Sequence, residues 1–187
     1  TVLCGQLEGH PYRDVFSTVY SDDEEGGHFA ALAMKERGRK DIVAVLGPQD
    51  NPAVVDRLRG YRAVLGEDLP DANVIYTGWN NGDGYQAMHQ ILAREIAFDG
   101  VLCGSDRIAA GVITALNEAG LSVPADVSVV GFDDHEIAAR CVPALTTVRQ
   151  PLREEGHMAA NIALNMINGA EPTTSVMHMQ LIQRDSL

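Results

Sequence analysis

The stretch VVGFDDHE, residues 129–136, ends in two adjacent carboxylates, Asp133 and Asp134. Val127, Val129 and Val130 read as a buried strand that Gly131 breaks, so the two acids stand at the strand's carboxyl end. In open α/β sheets ligands bind along that edge. Paired acids there can ligate Mg²⁺ or Ca²⁺, move a proton, accept hydrogen bonds from a sugar, or simply start the next helix. The residues by themselves leave these alternatives open.

Other positions carry polar chemistry. Trp79, the one tryptophan, closes the strand-like run NVIYTGW beside Asn80 and Asn81. Core packing suits it, and so does stacking on a ligand ring such as a sugar's C–H face or a purine. Arg57 lies on the helical pattern VVDRLRGYR, one turn after Ala53 and three residues before Gly60. That placement can aim it towards the helix start and a pocket edge, although most helical arginines are solvated. Ser105 and Asp106, in CGSDRIAAG, fall between a strand and a helix. One of them is expected to cap the helix, and a ligand role for the other is compatible with that.

Several motifs lose to simpler readings. Gly82-x-Gly84-x-x-Ala87 resembles a dinucleotide fingerprint, but the loop from Tyr76 to Gly82 is too long for the tight turn that seats a pyrophosphate. The acids at 22–25 and 154–155 sit at helix starts, where capping and the helix dipole account for them. The six histidines form no paired metal pattern, and no Ser, Cys or Asp has a nucleophile setting. No metal, no cofactor and no catalysis are therefore expected.

The elements that must position these residues alternate along the chain. Strands are expected at VLCG, FSTVYS, KDIVAVLGP, NVIYTGW, FDGVLCGS, DVSVVGF and LTTVRQP, with a final alternating run, VMHMQLIQRDS. Between them, helices are expected over SDDEEGGHFAALAMKERG, NPAVVDRLRGYRAVLGE, GDGYQAMHQILARE, DRIAAGVITALNEAG and LREEGHMAANIALNMINGAEP. Asn51 is a candidate N-cap, with Pro52 in the first turn. Such alternation implies βαβ units on parallel sheets, and a break near residues 68–72 suggests two subdomains.

The totals agree. With 187 residues, 45% of them hydrophobic, the chain suits one large domain or two small ones. Cys4, Cys103 and Cys141 are odd in number and far apart, which argues against a disulfide scaffold or zinc site and fits a reducing, cytoplasmic compartment. No apolar stretch approaches membrane-spanning length. A net charge of −12 would repel DNA and anionic membranes, so any nucleic-acid role needs a separate basic module.

Three phrases taken together resemble one family. DRLRGYRAVL, DGVLCGSDRIAAGVITALNEAGLSVPADVSVVGFDD and PALTTVRQPLREEGHMAANIALNMINGAEP are similar to the effector-binding core of LacI/GalR-family bacterial transcriptional repressors. The coupling of the FDD and LTTVRQP motifs at this spacing is highly specific. The resemblance implies a periplasmic-binding-protein-like α/β fold with two subdomains and a ligand cleft between them. On that reading residues 1–70 and 147–172 form a partial N-terminal subdomain, and 71–146 with 173–187 form the C-terminal one. A DNA-binding helix-turn-helix would precede Thr1.

Carried over position by position, the resemblance implies that Arg57 is aimed at effector oxygens and that Trp79 stacks on the effector. It implies that Asp133 accepts from sugar hydroxyls or a purine, and that Gln150 lines the cleft where the chain crosses the hinge. Ser105 replaces the usual Asn of an Asn-Asp pair, Leu152 falls where some relatives have an aromatic, and Gly5-Gln6 end a pocket-lining strand. Gln6, Asp106 and Leu152 complete the candidate set. The expected function is sensing of a small effector, a sugar or sugar derivative before a purine, by a homodimeric regulator that reaches operator DNA through its upstream module. The rivals are a solute-binding protein feeding a sugar transporter and a sugar- or nucleotide-processing enzyme.

Overall fold

In a computed structural model the described residues are 1–5, 15–94 and 96–187. Their contacts divide the chain into two compact units, Thr1–Asp22 with Gln150–Met179, and Asp23–Arg149 with Gln180–Leu187.

The smaller unit holds three parallel strands, β1 (Val2–Cys4), β2 (Ser17–Ser21) and β8 (Thr174–Met177), in the order β1-β2-β8. One long helix, α6 (Leu152–Ile167), packs on β1 and β2. Thr18 on β2 and Thr174 on β8 exchange a hydroxyl bond of 3.0 Å, and Ser21 Oγ donates to Glu155 at 2.9 Å.

The larger unit is a six-stranded sheet ordered β4-β3-β5-β6-β7-β9. Its strands are β3 (Ile42–Leu46), β4 (Val74–Tyr76), β5 (Gly100–Cys103), β6 (Ser128–Asp133), β7 (Thr146–Arg149) and β9 (Gln180–Ile182). All neighbours are parallel except β9, which runs antiparallel to β7. Helices α1 (Asp23–Glu36) and α2 (Pro52–Leu65) pack together, as do α3 (Asn81–Leu92) and α4 (Asp106–Glu118). A short helix, α5 (Glu136–Arg140), follows β6.

The central strands β3, β5 and β6 are buried on both faces almost throughout, as unbroken valine- and isoleucine-rich runs demand. Val43, Val45, Val101, Cys103 and Val129 join Met88, Ile91, Ile108, Val112 and Leu116 in one core. The alternate residues Ile42, Ala44 and Leu46 are equally buried. Asn51 caps α2 by accepting from the Ala53 amide at 3.0 Å, with Pro52 in the first turn, as its sequence indicated.

Three expectations change. The division expected near residues 68–72 does not fall where the sheets divide, because β3 and β4 are hydrogen-bonded neighbours in one sheet. The chain changes unit instead after Asp22, after Arg149 and after Met179. The final alternating run is two strands, β8 and β9, one in each unit. Gly131 does not break β6, which continues to Asp133. A Cβ at Gly131 would lie 2.4 Å from Asp106 Oδ1 and 2.7 Å from Leu145, so glycine is required there by a close approach rather than by a turn.

Candidate functional site

The larger unit gathers Arg57, Trp79 and Asp133 at the carboxyl ends of its strands. Arg57 leaves the middle of α2 and is buried, with a side chain 5% exposed. A buried guanidinium needs acceptors for its donors. Its Nε donates to Asp23 Oδ1 at 2.8 Å, one terminal nitrogen donates to the Gly104 carbonyl, and the other stands 3.6 Å from Asp133 Oδ1. Its plane lies over Phe132, with the guanidinium carbon 3.7 Å from the ring centroid, and 6.0 Å from that of Trp79. This is a cation held between two aromatic surfaces and two carboxylates.

Trp79 is half-buried and packs against the core that α3 and α4 build. Its ring covers Gly47, just beyond β3, where a Cβ would lie 2.4 Å from the indole. Asp133 ends β6 with its side chain one-third exposed, at 33%, and its Oδ1 facing Arg57.

Asp134 points to different partners. Arg149 and Arg184 donate to its two oxygens at 2.7 and 2.6 Å, and its side chain is 9% exposed. Burial alone would raise its pKa, but the bonds from Arg184 and Arg149 outweigh it and hold the carboxyl below its ordinary value. Asp134 is thus a structural acid, and the cap of α5 is His135 instead. Both Asp133 and Asp134 adopt positive φ, 107° and 52°, which costs about 1–2 kcal/mol each for residues other than glycine.

Ser105 is the N-cap of α4, accepting from the Ile108 amide at 3.2 Å, and is nearly buried. Asp106 is wholly buried, with both carboxylate oxygens hydrogen-bonded within the protein. Its Oδ2 accepts from the His135 amide at 2.6 Å, and its Oδ1 accepts from the Thr147 hydroxyl. Burial pushes its pKa up to about 7, against the opposing pull of those two hydrogen bonds.

Gln150 and Leu152 belong to the smaller unit, Gln150 half-buried just before α6 and Leu152 exposed at its first turn. Gln6 lies outside the described residues. Among the described residues no group of three or more His, Cys, Asp or Glu could hold a metal. No helix among them is long and apolar enough to cross a membrane. A cavity of about 530 Å³, lined by Asn80, Arg107, His135, Glu136 and Arg140 among others, opens elsewhere on the larger unit. It includes none of Arg57, Trp79 and Asp133, so its size does not make it the site.

Two partners of Arg57 were not singled out by the sequence. Asp23 sits in an acidic first turn that the helix dipole accounts for, and Phe132 reads as strand core. The signal that would have found them is the arginine itself: once placed in a buried helix face, it must have a carboxylate and a surface to lie on.

Residues 31–187 match the model of a periplasmic binding protein-like domain. The repressor described as HTH-type transcriptional repressor PurR, of Salmonella arizonae, is 36% identical over 184 residues, 96% of this chain and 54% of that protein. The chain therefore spans about half the length of the curated relatives it matches. A transcriptional regulator CelR–cellobiose complex superposes with a TM-score of 0.92 at 34% identity, over 100% of this chain and 58% of that one. A LacI family transcriptional regulator from Enterococcus faecalis with bound ribose gives 0.85 at 26% identity, over 99% and 76%.

Proposed function

This chain belongs to the periplasmic binding protein-like domain family, with LacI-family regulators among its relatives as the motifs implied, and on that premise we propose that it is the effector-sensing part of a DNA-binding transcriptional regulator. The effector is a sugar or sugar derivative. The observation that carries this is the trio at the strand ends: Arg57 donates through a fixed fork, Asp133 accepts, and Trp79 offers a flat apolar face. Polyhydroxylated rings need these groups, because each buried hydroxyl left unpaired costs roughly 1–3 kcal/mol.

Two structural neighbours carry cellobiose and ribose, which supports a sugar over a purine. The relatives are regulators, which supports sensing over transport or catalysis. Gln150, Leu152 and Gln6 are the further effector-contacting positions that the family resemblance implies. Effector binding would favour one of two states of a cytoplasmic homodimer and so change its hold on operator DNA, which is allostery by differential binding. The DNA contact would come from a basic module outside these residues, since the net charge here is −12.

The test is titration of ribose, cellobiose and purines against the fluorescence of Trp79, alongside operator affinity of the full-length protein. A saturable change in both with one of the sugars is the expected result. If all of them leave both signals unchanged, the sugar-sensing reading is wrong. Asp133→Ala should weaken a sugar's binding by roughly tenfold to a hundredfold, the worth of a hydrogen bond to a charged group, with the fold intact.

A further inference from the structure

The two left-handed residues Asp133 and Asp134 set where the ligand-facing carboxylate stands, and neither is a glycine. Something must hold so unfavourable a turn. The Asp134 carboxylate is held by Arg149 and Arg184, but the backbone is held from beneath by another group. Asp106, at the start of α4, accepts the His135 amide on one oxygen at 2.6 Å. Its other oxygen accepts the Thr147 hydroxyl, and Thr147 Oγ1 in turn accepts the Asp134 amide at 3.4 Å. Both amides that follow Asp133 are thereby tied to one buried carboxylate, the first through a β7 side chain. Gly131 leaves the space this needs, since a Cβ there would strike Asp106 Oδ1.

We propose that Asp106 is a positioning residue for the effector: it touches no ligand, and it fixes the left-handed turn that aims Asp133 at the ligand and at Arg57. This rests on the reading of Asp133 as the ligand carboxylate. It gives Asp106 a role distinct from the direct contact that its place in the chain suggested.

A proton can modulate the device. The groups that face Asp106 are Cys103 from β5, Asp133 and Asp134 from the end of β6, and His135 and Cys141 around α5, with Thr147 from β7. The charged form makes the stronger bond to the His135 amide, because bonds to an ionised acceptor are roughly twice as strong as neutral ones. The turn is therefore held more firmly above pH about 7 than below it.

The experiment compares wild type with Asp106→Asn, Thr147→Val and Thr147→Ser, by amide hydrogen exchange and by binding of ribose and cellobiose. In Asp106→Asn the His135 amide should exchange roughly tenfold faster, while amides of β5 and β6 keep their protection. In Thr147→Val the Asp134 amide should do the same, and Thr147→Ser should restore it. In wild type the protection of His135 should fall as pH drops through about 7, and in Asp106→Asn it should not change. Where a sugar binds wild type, both loss variants should weaken it roughly tenfold and the serine variant should recover it.

Unchanged exchange at His135 and Asp134, exchange lost evenly along β5 and β6, or unchanged sugar affinity overturns the proposal. Should neither sugar bind any form of the protein, the sugar reading fails, and the exchange data alone decide the anchor.

Discussion

Arg57 shows how one side chain can serve the fold and stand at the proposed effector site. It holds Asp23 and the Gly104 carbonyl, lies over Phe132, and leaves a nitrogen near Asp133. Arg57→Ala would remove the buried guanidinium that bonds Asp23 and the Gly104 carbonyl, and losing a hydrogen bond to a charged group costs about 1.5–3 kcal/mol. Urea unfolding should show that loss as a lower midpoint at an unchanged slope. The neighbouring acids answer to pH in opposite windows. Asp134 has a folded pKa below its unfolded value of 3.8, so its contribution is present above that value and is lost as pH falls through the folded one. Asp106 has a folded pKa above 3.8, so the stability linked to its proton is complete below that value and is lost as pH rises through about 7. Unfolding free energy should therefore decline between roughly pH 4 and 7 in wild type, and Asp106→Asn should flatten that decline. The same substitution should loosen the turn without lowering global stability at the alkaline end, a split that a purely structural acid would not give.

At the scale of elements, the site depends on how α1 lies against α2. Asp23 reaches Arg57 only because the two helices touch backbone to backbone. A Cβ at Gly60 would lie 2.1 Å from the Glu24 carbonyl oxygen and 2.6 Å from the His28 amide. Gly60→Ala must therefore push α1 away and draw Asp23 off Arg57. Overpacking of this kind costs typically about 1–3 kcal/mol, and here it should weaken sugar binding as well as lower the melting temperature. Gly131→Ala tests β6 in the same way. The added methyl meets a carboxylate oxygen and Leu145, so it should destabilise the larger unit and release the turn that Asp106 holds. Both effects can be read by thermal unfolding together with Trp79 fluorescence under titration with ribose or cellobiose.

At the scale of the whole molecule, the alternation of strands and helices was legible from the apolar periods, and so were the N-cap at Asn51 and the chain positions of Arg57, Trp79 and Asp133. A short-range signal is enough for these, because burial of an element's face, capping and turn chemistry act within a few residues. The phrases around FDD and LTTVRQP also fixed the family. The boundary between units was not legible. It is decided by which strands pair, and β3 pairs with β4 and with β5, whose residues are joined through long stretches of chain. Spacing and residue type alone could not choose between roles for the two acids at 133 and 134; the family resemblance pointed to Asp133. Adjacent identical residues have one local pattern, and only the tertiary structure places two arginines on one of them and a buried guanidinium beside the other. Asp106 makes the same point: its position in the chain suits a cap or a ligand contact, whereas the fold buries it against Thr147 and the His135 amide, residues brought there by β7 and the end of β6. Local chemistry thus determined the elements and the residue types of the site. Long-range packing decided their partners, because a charge buried by the fold must find its counterpart wherever the fold has put one.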